Sequence, residues 1–241
     1  MAQGLQENER RFIMAKSLER RRHWRGLISR LVFLCFNTVL WWESDGRKAK
    51  KRESVNILDV GCGEYSSLAY IINHYKLEAV GLDIFEPYLK EAKYKGVYPQ
   101  VVVGDARWLP FKDKSFDVVT CMEVIEHVEK EDGEKILNEL ERVSKWLVLV
   151  STPIGECRQH AYDQNPFQEH RSTWSVQDLR TRGFKIRGRG LRGMAGDRWG
   201  QLFPYFLRPL QYIIEIIVTL FSYFFPKVAA SAIAWKEREP S

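Results

Sequence analysis

The sequence predicts an α/β fold built on a doubly wound, parallel sheet. Short apolar runs that end at glycine or a carboxylate recur along the chain, and helical segments with caps or an apolar face separate them. This is the pattern of repeated strand–helix–strand units. The chain has 241 residues, 45% of them hydrophobic, which is enough for one such domain with extensions and excludes a disordered chain.

The elements follow in order from residue 55. Strands are predicted where apolar runs are bounded by glycine, proline or charge, at 55–60, 78–84, 101–103, 116–121, 146–150, 184–189 and 229–235. Helices are predicted at 66–75, from Pro87 onwards, at 132–145 and at 175–181, where serine or proline suits the first turn. The chain thus divides into a helical extension and linker (1–54), a core (55–190), an apolar helical insertion (191–228) and a final strand with tail (229–241).

Charge is distributed unevenly along the chain. Residues 1–54 carry 13 basic against 6 acidic side chains, residues 55–170 carry 12 against 20, and residues 171–241 carry 12 against 5. Basic ends indicate an anionic partner surface, either phospholipid or nucleic acid. The acidic middle suits a cationic small molecule.

Two apolar stretches, 27–42 and 209–226, lie outside the predicted core. Each falls short of the ~20 apolar residues of a membrane span or carries a charge. An interfacial helix on a membrane surface and packing within the protein or in a dimer both remain open. The four cysteines show no CxxC spacing and the start of the chain lacks a signal-like apolar region, so we expect a cytoplasmic domain that can be peripheral to the membrane's inner face.

A candidate cofactor site follows the carboxyl ends of the first three strands, where ligands bind in open parallel sheets. The first strand ends in Asp59-Val60-Gly61-Cys62-Gly63, whose glycines allow a tight turn and a close ligand. Asp83-Ile84 ends the second strand and is placed to accept from ribose hydroxyls. Asp105-Ala106 follows the third and can accept from an exocyclic amine.

A dinucleotide site is the rival interpretation of this turn. It needs a third glycine where Ser66 stands, and room for a pyrophosphate at the helix start. Asp59 and Glu64 would repel that anion, whereas they suit a sulfonium and an α-ammonium group. Charge therefore favours S-adenosylmethionine.

The ordered motifs 57–63, 81–83, 104–111 and 115–119 resemble those of class I S-adenosylmethionine-dependent methyltransferases. The resemblance covers roughly residues 55–153. It implies a Rossmann-like sheet of seven strands with the last antiparallel. It also implies that Asp59 and Gly61 contact the methionine end, Asp83 the ribose, and Asp105 with Ala106 the adenine. Tyr65 replaces a glycine that many members carry, which puts the shape of the methionine pocket in doubt.

Candidate catalytic residues follow the fourth and fifth strands. The stretch 121–127 resembles that of ubiquinone-biosynthesis O-methyltransferases, where its Glu-x-x-Glu-His group is associated with a divalent metal. Glu123, Glu126 and His127 are thus candidates for a metal, for a local cofactor role or, in the case of His127, for a general base; they can equally cap a helix. His170, in the loop 154–173, is a second candidate base, while His160 in the same loop is expected to be exposed.

The resemblance implies a methyltransferase, and we expect a small-molecule, lipid or lipid-linked acceptor. An RNA methyltransferase is an alternative based on the basic ends, but no RNA-binding module is visible and nucleic acid is the weaker partner. A non-catalytic S-adenosylmethionine-binding protein is a third hypothesis, favoured only by Tyr65 in the turn of the methionine pocket. The acceptor and the oligomeric state do not follow from the sequence.

Overall fold

The structure, a computed structural model, describes residues 55–64, 72, 78–191, 214, 217–218 and 220–238. The predictions for the extension 1–54, for Tyr65, for nearly all of the helix at 66–75 and for most of the apolar insertion lie outside these residues.

Seven strands form one mixed sheet in the order β3-β2-β1-β4-β5-β7-β6. They are β1 (Asn56–Val60), β2 (Glu78–Asp83), β3 (Gln100–Val103), β4 (Phe116–Met122), β5 (Ser144–Pro153), β6 (Lys185–Leu191) and β7 (Ala229–Glu237). Strands β1 to β5 pair in parallel, and β7 lies antiparallel between β5 and β6. The predicted seven-stranded sheet with an antiparallel last strand is confirmed.

Three α-helices have complete bounds: α1 (Glu86–Tyr94), α2 (Lys130–Val143) and α3 (Val176–Thr181). Pro87 lies in the first turn of α1, as predicted. A capping box between Ser175 and Asp178 begins α3. Strand β5 extends beyond its predicted ends because it pairs with β4 on one side and β7 on the other along its length.

The core lies between the sheet and the apolar face of α2. Ile136, Leu137, Leu140 and Val143 of α2 are fully buried against it. Trp174 is also fully buried, and a Cβ atom at Gly133 would lie only 2.5 Å from its ring. Helix α2 therefore sits as close to this indole as a glycine allows.

The carboxyl ends of β1, β2, β4 and β5 meet at one edge of the sheet, which we call the carboxyl edge. Strand β7 runs the other way, and its first residues pair with the last residues of β5, as Ser231 does with Pro153. The segment that enters β7 therefore reaches the sheet at the carboxyl edge. There the helical residues 220–224 lie on β6, since a Cβ atom at Gly188 would fall 2.2 Å from the Ser222 carbonyl oxygen. Within the described residues, no helix is long and apolar enough to cross a bilayer.

Candidate functional site

The turn after β1 has the backbone shape that its glycines allow. Gly61 and Gly63 have φ values of 70° and 57°, in the left-handed region. The Gly61 amide donates to the Leu82 carbonyl at 2.7 Å, which fixes the turn to β2. A Cβ atom at Gly61 would lie 2.2 Å from Val124, whereas one at Gly63 would meet no atom within 4 Å. The turn is thus packed on the Gly61 side and open on the Gly63 side.

Asp83, the last residue of β2, faces this open side. Its carboxylate accepts from the Gly63 amide at 2.9 Å and from the Phe85 amide at 2.8 Å. Burial raises the pKa of Asp83, while backbone amides of Phe85, Gly63 and Ile84 lower it. These bonds fix the carboxylate beside the turn. A carboxylate has about four lone-pair positions, so it retains acceptor capacity for ribose hydroxyls.

Asp59 lies deeper than the sequence indicates. It is 1% exposed, and its carboxylate accepts from the Thr120 hydroxyl at 2.7 Å and from the Tyr98 hydroxyl. Cys62 is also buried, and burial together with the charges of Asp59 and Asp83 raises its thiol pKa far above the ordinary value. Asp59 therefore supports the turn from beneath, and Cys62 is not a reactive thiolate.

Asp105, after β3, forms an ion pair that the sequence analysis missed. Arg107 binds its carboxylate through Nε and Nη2, at 3.0 Å and 2.6 Å, and also contacts Asp132. Burial raises the pKa of Asp105, but the bonds from Arg107 outweigh this and lower it overall. Asp105 is thus a fixed anion. Ala106 is half-buried beside it. Ile84, which directly follows the neighbouring strand β2, is 37% exposed.

These residues fit S-adenosylmethionine. The open space beyond Gly63 would be filled by a side chain at that position, and a nucleoside can lie there beside the Asp83 carboxylate. The acceptor-only groups Asp83 and Asp105 match hydroxyl and amine donors on the ligand. They do not match a phosphate.

After β4 the chain turns sharply into a short 3-10 helix, Ile125–His127. Glu123 has a φ of 57°, its carboxylate accepts from the Ser151 hydroxyl at 2.7 Å, and the residue is otherwise exposed. Glu126 is 2% exposed; its Oε2 accepts from Thr152 at 3.0 Å. Burial, followed by the charge of Glu123, raises the pKa of Glu126 well above its usual range. Its surroundings therefore favour the protonated, neutral form of the Glu126 carboxyl.

His127 and His170 lie side by side, with ring centroids 4.8 Å apart. The Nδ1 of His127 is 3.2 Å from the Glu169 carbonyl oxygen, and the Nδ1 of His170 is 2.6 Å from that of Cys157. A carbonyl only accepts, so these contacts place a donating N–H at Nδ1 of each ring. In the neutral form of such a ring the lone pair is on Nε2. Burial lowers the pKa of His127 below 6.5 and favours this neutral form. His160 is exposed.

Glu126, His127 and His170 each place one possible ligand atom within 4.8 Å of the other two. Such a group can hold a cation or accept a proton. The resemblance grouped Glu123 with Glu126 and His127 as possible metal ligands. Among the described residues, the third ligand atom near Glu126 and His127 belongs to His170 instead. The pairing of His170 with His127 could not be read from the sequence, because 43 positions separate them. The partners of Asp59 carried no sequence signal either.

Part of this chain is similar in sequence to known proteins. Residues 58–146 match the family model described as "Methyltransferase domain". A norajmaline N-methyltransferase of Rauvolfia serpentina is 37% identical over 95 residues, which are 37% of this chain and 32% of that protein. A tocopherol O-methyltransferase of Arabidopsis thaliana is 32% identical over 108 residues, 42% of this chain and 29% of that protein. The chain thus spans about a third of the length of these two relatives.

A fold of the same kind is found in solved structures. The magnesium protoporphyrin IX methyltransferase of Synechocystis PCC 6803 with bound S-adenosylhomocysteine covers 88% of this chain, and 83% of its own chain is matched, with a TM-score of 0.52 and 17% identity. The same protein has also been solved with bound S-adenosylmethionine, at a TM-score of 0.50. The family match over residues 58–146 supports the predicted resemblance, and the solved structures share the predicted fold.

Proposed function

We propose that the chain methylates a small-molecule or lipid-like acceptor at the carboxyl edge. The proposal starts from residues 58–146, which match a methyltransferase domain and which we take to form an S-adenosylmethionine-dependent domain of the class I fold. The observation that carries the proposal is the open turn at Gly63 with the Asp83 carboxylate fixed beside it. In this proposal Asp83 and Ile84 border the ribose and Asp105 with Ala106 the adenine. Gly61, Cys62 and Gly63 form the wall at the methionine end, Asp59 supports it, and Glu123 borders it from β4.

The proposed base is the pair His127 and His170. Methyl transfer from a sulfonium is a displacement in which alignment contributes most, and a base is needed when the nucleophile arrives protonated. An Nε2 lone pair on either ring can take that proton. Since each Nδ1 lies against a backbone carbonyl, both rings are oriented before an acceptor arrives.

The acceptor class is supported by the apolar surface beside the carboxyl edge. Large side chains of residues 217–228 are exposed there: Ile217, Leu220, Phe221, Phe224, Phe225 and Val228. No acidic residue occurs in 185–191 or 220–236, while Arg187, Arg189 and Lys227 add positive charge. An apolar face bordered by cations fits an anionic membrane surface. We therefore propose that the acceptor is lipid-like and is met at such a surface.

The acceptor is tested by incubating the chain with methyl-labelled S-adenosylmethionine and a total cell extract. We expect label in the organic-soluble fraction. Label confined to RNA would refute a lipid-like acceptor and favour the nucleic-acid alternative. Cofactor binding in a calorimeter without any transfer of label would favour a non-catalytic protein.

The membrane surface is tested by flotation with vesicles that contain about 30% anionic lipid. The chain should float with these vesicles, less so at high salt, and Phe224→Ser with Phe225→Ser should reduce the floated fraction. Tyr94→Ser is the control, because Tyr94 is 87% exposed on α1 and lies away from the apolar surface. Protein that stays in the soluble fraction at low salt contradicts the proposal.

A further inference from the structure

The loop after β5 folds back on itself as a hairpin, residues 157–170. The His170 amide donates to the Gln159 carbonyl at 3.1 Å, and the Gln159 side chain donates to the Gln168 carbonyl at 2.8 Å. Tyr162 and Asn165 pair across the tip, where Asp163 and Gln164 have φ values of 57° and 54°. The two left-handed residues reverse the chain direction. The hairpin is thus a defined projection with a base and a tip.

The base of the hairpin is fixed to the site. The amides of Arg171 and Ser172 both donate to the Glu126 carbonyl, at 2.8 Å and 3.1 Å. On the other side, the Gly155 amide donates to the Trp174 carbonyl at 2.8 Å. The base therefore cannot shift without moving the 3-10 helix that carries His127.

The tip contacts a different part of the carboxyl edge. The Tyr88 hydroxyl, in the first turn of α1, donates to the Asp163 carboxylate at 3.0 Å. Helix α1 follows β2, whereas the hairpin follows β5, and β1 and β4 lie between these strands. Three strand spacings amount to about 14 Å, which the six residues 157–162 of the outgoing arm can span at ~3.3 Å per residue when extended. The returning arm contains a 3-10 helix, Pro166–Gln168. The contact thus requires the hairpin to cross the ends of β1 and β4.

We infer that Tyr88 and Asp163 are positioning residues that hold this hairpin closed over a cofactor bound at the carboxyl edge. The inference rests on the proposed function, which places the cofactor beside Gly63 and Asp83. A ligand held there leaves when the tip contact opens, while the base with His170 stays in place. Loss of the Tyr88–Asp163 bond therefore speeds dissociation of the cofactor without removing any group that touches it.

The test is the dissociation rate of S-adenosylhomocysteine, measured by displacement with excess unlabelled ligand. Tyr88→Phe removes only the hydroxyl, and we expect dissociation about three- to tenfold faster, as the loss of one solvent-exposed hydrogen bond implies. Tyr94→Phe is the matched control on the same helix, since Tyr94 is 87% exposed. It should dissociate at the wild-type rate.

Variants at the tip distinguish loss of the Tyr88–Asp163 hydrogen bond from a change in the conformation of the hairpin. Asp163→Asn keeps an acceptor oxygen and tolerates the positive φ, so it should stay near the wild-type rate. Asp163→Gly tolerates the same φ but lacks the acceptor, and it should match Tyr88→Phe. The double variant should be no faster than either single variant, because both remove one bond.

Two outcomes are distinguishable. If the wild-type chain binds no S-adenosylhomocysteine in a calorimeter, the proposed function fails. If it binds, but Tyr88→Phe dissociates within twofold of Tyr94→Phe, the cofactor site stands and the inference about the hairpin is overturned.

Discussion

Replacing Asp83 with asparagine tests the cofactor site most directly. The side chain keeps its shape but loses its charge, and its new amide group must face either the Gly63 or the Phe85 amide, both of which are donors. One backbone bond is therefore lost, and the bonds to two ribose hydroxyls become neutral. Since a hydrogen bond to a charged group contributes about 1.5 to 3 kcal/mol and a neutral one about 1 kcal/mol, we expect a loss near 3 kcal/mol, or about 150-fold in Kd.

The assay is calorimetric titration with S-adenosylmethionine and with S-adenosylhomocysteine. Both ligands carry the same ribose, so both should weaken by the same factor if Asp83 binds the hydroxyls. A larger loss for the sulfonium ligand would show that Asp83 acts through its charge instead. Glu86→Gln is the matched control, because it makes the same chemical change on an exposed side chain three residues along.

An unchanged Kd for Asp83→Asn, with a thermal unfolding curve like that of the wild type, would refute the assignment of this carboxylate. A variant that fails to fold would be recognised by its unfolding curve. Asp83→Glu then provides the second measurement, since it keeps the charge but displaces it from both backbone amides.

Further predictions concern stability and pH. Gly61→Ala should lower the free energy of unfolding by about 2 to 4 kcal/mol, because the added methyl group clashes with Val124 and the positive φ is unfavourable for alanine. Gly63→Ala has only the cost of the positive φ, about 1 to 2 kcal/mol. Equal losses of the two variants in urea denaturation would contradict this. Because the pKa of Glu126 is raised, the folded state keeps a proton that the unfolded chain releases above the usual pKa of 4.5, so the free energy of unfolding falls as the pH rises from 4.5 towards the raised pKa. Glu126→Gln should remove this pH dependence. Parallel plots of unfolding free energy against pH for variant and wild type would refute it. Because burial and the neighbouring His170 lower the pKa of His127, the acidic limb of the methyl-transfer rate should lie below pH 6.5 and move upward in His170→Asn, and a limb that does not move would exclude the coupling.

The sequence predicted the sheet well because its strands are apolar runs with clear stops. Strand β5 was placed too short because Ser144, Ser151 and Thr152 are polar yet buried, and their burial follows from pairing with strands on both sides. Periodicity carries no information on such long-range pairing. The boundary of a strand is therefore less predictable than its existence.

The positions of the proposed cofactor residues at strand ends could be predicted from the sequence, but their environments could not. Asp59 faces Tyr98 and Thr120, which lie 39 and 61 positions away along the chain. No local sequence pattern therefore indicates that the Asp59 carboxylate supports the turn from within the core. In the same way, the ion pair of Asp105 with Arg107 depends on how the loop after β3 folds.

The close approach at Gly188 has a consequence for how the insertion can be altered. With the Ser222 carbonyl 2.2 Å from where a Cβ atom would stand, the residues around 222 rest directly on the backbone of β6. Ser222, Pro226 and Ala229 are buried there. A deletion of 192–228 would uncover that strand's backbone face and leave β7 without the chain that leads into it. Residues 220–228 are therefore an integral part of the folding unit, and a chimaera that exchanges them must carry β6 with it.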